Sequence, residues 1–134
     1  MYDTYAYFWV GEFEGSPEAV TAVLGLEPTE TWKKGDPWLE NRPRQSSRWR
    51  LMSPLPRTEM FMDKHLEALL SILEPKTAAI RVLQTEHEIG INCVGYFYGE
   101  NPGFHLSRGL IARLHALSLD IDFDLYCCGE KDSV

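Results

Sequence analysis

The amino-acid sequence predicts one α+β domain, a two-layer sandwich in which helices cover one face of a five-stranded sheet. Three observations carry this. Runs rich in aromatic and β-branched residues alternate with segments whose apolar residues recur at helical spacing. The two longest strand-like runs share a hexamer, Val10-Gly-Glu-Phe-Glu-Gly15 and Val94-Gly-Tyr-Phe-Tyr-Gly99, identical at four of six positions. A chain of 134 residues is long enough to bury one core and short for two.

Residues 4–14 read as a long strand. Ser16-Pro17-Glu18 opens a helix, with Ser16 as N-cap and Pro17 in the first turn; Ala19, Val20, Val23 and Leu24 form its apolar stripe, and Gly25 closes it. A second strand over 29–35 ends at the turn Gly35-Asp36-Pro37. A polar loop leads to a third strand over about 46–53, stopped by Pro54 and Pro56. Thr58 is the expected cap of a helix over 59–74, with Met62, Leu66, Leu69, Leu70 and Leu73 on one face. Pro75 starts a shorter helix through Leu83. Residues 88–98 form the fourth strand, Ser107 caps a helix carrying Leu110, Ile111, Leu114 and Leu117, and residues 119–126 alternate as the fifth strand.

Each copy of the hexamer ends a long strand and is followed by a loop, a helix and another strand. This predicts duplicated strand–helix–strand units at about 4–35 and 88–126, with 36–87 an insertion that adds a strand and a helix. Two such units about a pseudo-twofold give a ferredoxin-like plan, mainly antiparallel, in the order 5-1-4-2-3 for strands numbered along the chain. The domain is expected to span 1–128, followed by a disordered tail, 129–134. The offset of 84 between the copies is even, so Tyr5, Tyr7, Trp9 and Phe13 are expected to face the helices with Ile89, Ile91, Cys93 and Phe97. Ile121, Phe123 and Leu125 should join them. Phe8, Val10, Glu12, Asn92, Tyr96, Tyr98, Tyr126 and the three aspartates Asp120, Asp122 and Asp124 are then expected on the open face.

Charge is uneven. The chain carries −7, yet residues 33–57 hold Lys33, Lys34, Arg42, Arg44, Arg48, Arg50 and Arg57 against only Asp36 and Glu40. That segment is +5, which leaves −12 elsewhere. An acidic body disfavours nucleic acid, because phosphate repulsion acts over a Debye length of about 8–10 Å. The open face would bring carboxylates, not cations, to a base-stacking platform. No apolar run approaches the roughly 18 residues of a membrane span, so no membrane partner is expected. Met1-Tyr-Asp-Thr-Tyr-Ala lacks the plan of a signal peptide, and the cysteines are odd in number with two adjacent. The expected location is the cytoplasm.

Trp32-x-x-Gly35-Asp36, Trp49, the leucine-rich helix, the Asn-Pro-Gly loop and Leu119-Asp-Ile-Asp-Phe-Asp-Leu-Tyr126 give the chain a family resemblance. Over roughly 4–126 it resembles the bacterial family known as domain of unknown function 4279. That resemblance implies no activity, cofactor or partner; Trp32, Gly35, Asp36, Trp49, Asp122 and Tyr126 match positions characteristic of the group.

Read from the residues alone, Trp32, Trp38 and Trp49 among seven cations suit a planar anionic ligand, held by stacking, cation–π contact and paired hydrogen bonds. The candidate ligand residues are Trp32, Asp36, Arg48, Trp49 and Arg50. The plain alternative is a two-stranded ribbon whose indoles fill core while its arginines stay solvated. Phe8, Tyr96, Tyr98 and Tyr126 are the candidate interaction face. Asp120, Asp122 and Asp124 stand about 6.6–6.8 Å apart along one strand face, too far to share one cation. His65, His87, His105 and His115 show no metal spacing, although His105 precedes a helix N-terminus that could hold an anion. Cys127-Cys128 has no neighbouring cation in sequence to activate a thiol. No Gly-x-Ser-x-Gly elbow is present, and no catalytic residue, metal or cofactor is assigned.

Three functions remain open. The first is a non-enzymatic binding or protein-interaction module, of accessory or immunity type. The second is a small anionic-ligand binder or enzyme with its pocket in residues 32–57. The third is a structural homodimer joined through exposed strands.

Overall fold

The structure, a computed structural model, describes residues 2–99 and 101–129. The strands are β1 (Tyr2–Phe13), β2 (Glu30–Trp32), β3 (Pro37–Leu39), β4 (Arg42–Pro43), β5 (Ser47–Met52), β6 (Glu88–Tyr98) and β7 (Asp120–Cys128). The helices are α1 (Pro17–Leu24), α2 (Met62–Leu73), α3 (Thr77–Gln84) and α4 (Arg108–Ala116), with a 3₁₀ turn at Glu74–Lys76 between α2 and α3. None of these helices is long and apolar enough to cross a membrane. Of the expected tail 129–134, all but Gly129 lies outside the described residues.

Caps explain the helix bounds. The Ser16 side chain accepts from the Glu18 amide, and Gly25 closes α1 in the left-handed region at φ 67°. Ser107 accepts from the Leu110 amide at 3.1 Å to start α4. The expected Thr58 cap does not form: α2 begins at Met62, after Phe61, with no side-chain cap. In the first turn of α2, buried His65 bridges Ser53 Oγ and the Glu59 carbonyl of the preceding loop, at 2.8 Å each. A carbonyl can only accept, so Nε2 carries the proton and Nδ1 accepts from the Ser53 hydroxyl. This ties α2 to the loop behind it.

The sheet runs β2-β5-β1-β6-β7, mixed in sense. β1 and β6 are central, adjacent and antiparallel, as the repeat implies. The expected order 5-1-4-2-3 is not formed. β7 lies beside β6 and parallel to it, while β5 separates β1 from β2. The second strand of each unit thus stays on the outer side of its own first strand instead of crossing to the other unit. The interleaving of the ferredoxin-like plan is therefore not seen. The inserted strand β5 fills the gap next to β1, where a crossed strand from the second unit would have lain. The segment between β2 and β5 is not a plain loop either, since β3 and β4 pair as a small hairpin.

The helices cover one face only. α2 lies on β1, α3 on β6 and α1 against β5, with α1 touching α3 and α2 touching α4. Beneath them Ala6, Phe8, Val10, Trp49, Ile91 and Cys93 are fully buried with Leu66, Leu69, Leu70 and Leu73 of α2. This reverses the expected facing of β1. Phe8 and Val10 are core, whereas Tyr5, Tyr7 and Trp9 lie on the open face. The register pairs Phe8 with Ile91 and Val10 with Ile89, so even positions of β1 share a face with odd positions of β6. Parity changes at Glu12, which sits at φ 61° where the β1–β5 register slips between Gly11 and Phe13. Phe13 returns to the helix side, as expected, next to His87. The bulge is held by hydrogen bonds from Ser46 Oγ to Glu12 and from Ser47 Oγ to the Gly15 carbonyl.

Candidate functional site

On the open face, neighbouring strands align side chains in rows. One row runs Trp32, Arg48, Gly11, Glu88; the next runs Glu30, Arg50, Trp9, Gly90, Asp120; a third runs Met52, Tyr7, Asn92, Asp122. Trp9 organises the middle. A Cβ at Gly11 would stand 3.1 Å from the Trp9 ring, and one at Gly90 would stand 3.1 Å from the same ring and 3.2 Å from the Asp120 carbonyl. The indole therefore lies flat on bare backbone, which only glycine permits at such close approach. Its Nε1–H donates to Asn92 Oδ1 at 2.9 Å, and Asn92 Nδ2 donates to the Tyr7 hydroxyl at 2.8 Å.

The arginines lie on aromatic rings. Arg48 stands 4.6 Å above Trp9, Arg50 4.5 Å from Tyr7 and 4.8 Å from Trp32, and Arg44 4.0 Å from Trp32 and 4.9 Å from Trp38. Arg57 covers Tyr5 at 4.0 Å. Arg50 reaches Glu30 at 3.7 Å, and Arg57 reaches Asp3 at 3.5 Å. Among the described residues no carboxylate lies within ion-pair distance of Arg48. Burial, and then the Arg50 charge, lower its pKa from the ordinary guanidinium value. A guanidinium stays charged at any physiological pH. Arg48 is thus a half-buried cation beside another cation, with the Glu12 carboxylate acting on it only from beyond ion-pair distance.

Trp9 also walls an open cleft of about 800 Å³, lined by Gln84, His87, Glu88, Ser118, Asp120 and Asp122 among others. The cleft is polar, but among the described residues no three His, Cys, Asp or Glu side chains are placed to hold a metal ion. The 84% exposure of Glu14 leaves its contact with Lys34 in solvent, apart from this face.

Of the residues singled out from sequence, Trp32, Arg48 and Arg50 do come together. Trp49 points the other way: fully buried, it packs edge-on against Phe8 and donates Nε1–H to Thr21 Oγ1 at 3.0 Å. Asp36 accepts from the Lys33 amide at 2.8 Å and so shapes the turn before β3. Of the interaction residues, Phe8 is core, while Tyr96, Tyr98 and Tyr126 do lie on the open face. Tyr96 and Tyr126 stack with centroids 4.7 Å apart. Sequence reading placed Asn92 on this face without a role, and it missed Tyr7 and Trp9 there. The available signal was a glycine in each central strand, Gly11 in β1 and Gly90 in β6, since glycine inside a strand marks a close approach.

The fold and this face define a small α+β protein with an open mixed sheet that displays arginines on an aromatic bed. The family profile described as domain of unknown function (DUF4279) matches residues 2–128, nearly the whole chain, and the chain belongs to that family. No curated protein and no solved structure matches it.

Proposed function

We propose that the chain is a non-catalytic binding module whose open sheet face takes an anionic group on Arg48 and Arg50. One observation carries this: Arg48 is half-buried beside Arg50 and makes no ion pair among the described residues, Glu12 acting on it only from beyond contact distance. A half-buried cation set beside a like charge favours a close counter-charge, and a bound oxyanion would supply it. Trp32 already bears two guanidiniums, so the site offers guanidinium edges more than free ring faces. The fitting ligand is therefore a carboxylate or phosphate, and ring stacking adds less than the sequence suggested. Three cysteines without a disulfide agree with a reducing, cytoplasmic setting.

A thermal-shift screen of phosphate and of mono-, di- and aromatic carboxylates tests this. Binding at a hundredfold excess over Kd stabilises by about 2.7 kcal/mol, and Arg48→Ala should remove that shift without unfolding the free protein. A panel that moves neither wild type nor variant, or a shift that survives Arg48→Ala, overturns the proposal.

A second reading, contact with a protein across the same face, rests on the exposed Tyr126 stacked on Tyr96. Pull-down with wild type and Tyr126→Glu tests it: loss of a stoichiometric partner supports it, and no partner for either chain overturns it.

A further inference from the structure

β7 ends the sheet, and among the described residues no strand pairs with its outer side. It is nine residues long, and its outward N–H and C=O groups form an unused pairing edge. Its two faces differ sharply. On the helix side Phe123 and Leu125 are 44% and 43% exposed. Phe104 (38% exposed) touches Phe123 at 6.1 Å between ring centroids, and with Phe61 it lines a cleft of about 390 Å³. On the open side stand Asp120, Asp122 and Asp124, all exposed.

We infer that β7 is a strand-addition site for a heterologous partner segment that alternates basic and apolar residues. Such a strand would complete the main-chain ladder, set its apolar side chains beside Phe104, Phe123 and Leu125, and set its Lys or Arg side chains beside the aspartates. Alternation alone meets both faces at once, because successive side chains of a strand point to opposite sides. The same charges argue against a second copy of this chain. An antiparallel β7 pair that keeps Asp122 and Asp124 in the ladder sets them opposite or diagonal to their own kind, and an in-register parallel pair stacks them directly. The surface is distinct from the arginine bed, which lies across the sheet on β5 and β1.

The probe is a synthetic peptide alternating Lys with Val and Phe, compared with the same peptide carrying Glu for Lys. Fluorescence anisotropy should show saturable binding of the basic peptide and at least about tenfold weaker binding of the acidic one, the ratio that corresponds to about 1.4 kcal/mol. Amide exchange should slow along Asp120–Tyr126 when the basic peptide is added. Phe123→Ser and the pair Asp122→Asn with Asp124→Asn, each checked for an unchanged melt, should each weaken binding. Equal binding of both peptides, no slowing of exchange on β7, or a concentration-dependent dimer of the free protein abolished by Phe123→Ser would each overturn the inference.

Discussion

The indole of Trp9 lies across the backbone of Gly90, the residue directly opposite it on β6, with a substituent there 3.1 Å from the ring. Gly90→Ala should therefore displace the ring, since the Asp120 carbonyl blocks the other side at 3.2 Å. The expected cost is about 1–3 kcal/mol, the range for overpacking. In an NMR spectrum the Trp9 indole N–H should shift as its bond to Asn92 lengthens. An unchanged indole resonance with an unchanged melt would show that the ring is not held on glycine.

The reversed facing of β1 gives a direct stability test. Phe8→Ala and Trp49→Ala each empty a fully buried aromatic site and should cost about 3–5 kcal/mol in denaturant melts. Phe123→Ser, on the open edge, should stay within about 0.5 kcal/mol. Phe13→Ala and Phe97→Ala, both nearly buried, belong with the first pair. A small effect at Phe8 would restore the opposite facing.

Thiol reactivity reads the same packing. Burial pushes the Cys93 thiol up to about 12, so the folded protein should present it as an inert thiol at neutral and mildly alkaline pH. Cys127 is exposed and should alkylate first. Peptide mapping after brief alkylation should find Cys93 unmodified until the protein is unfolded. Native labelling of Cys93 at the rate of Cys127 would contradict the helix-covered face.

Arg113 grips Glu74 with two hydrogen bonds, Nε at 3.0 Å and Nη2 at 2.7 Å, linking α4 to the turn after α2. The hydrogen bond from Arg113 holds the Glu74 carboxyl below its ordinary value. The folded pKa is the lower one, so the stabilisation is complete above the unfolded value of about 4.3 and disappears as pH falls through the folded one. Both side chains are more than a third exposed, so water screens the pair and the gain is at most about 1 kcal/mol. Glu74→Gln should lose that amount at pH 7 and little at pH 3, by chemical denaturation at both.

Local pattern alone placed most elements. Ser16, Pro17 and Gly25 framed α1, Ser107 framed α4, and the leucines of α2 marked its buried stripe, because capping and amphipathic spacing act within a few residues. The repeated hexamer made β1 and β6 central partners. It misled only on which way the side chains of β1 before Glu12 point, since that one positive-φ residue shifts the phase of everything on one side of it, while the facing expected for β6 holds.

What the sequence by itself determined is an α+β domain with two central strands, a basic segment at 33–57 in an acidic chain, and its family. What only the tertiary structure decided is where those strands' neighbours lie and which tryptophan is available to a ligand. Strand order depends on which edges meet, and no local propensity encodes that when an insertion can supply the neighbour, as β5 does for β1. Trp49 and Trp32 look alike along the chain, yet their strands' register sends one into the core and the other onto the arginines. Trp9 joins the site from forty residues away, because the antiparallel pairing of β1 with β5 sets it opposite Arg50, and Gly11 and Gly90 leave it room to lie flat.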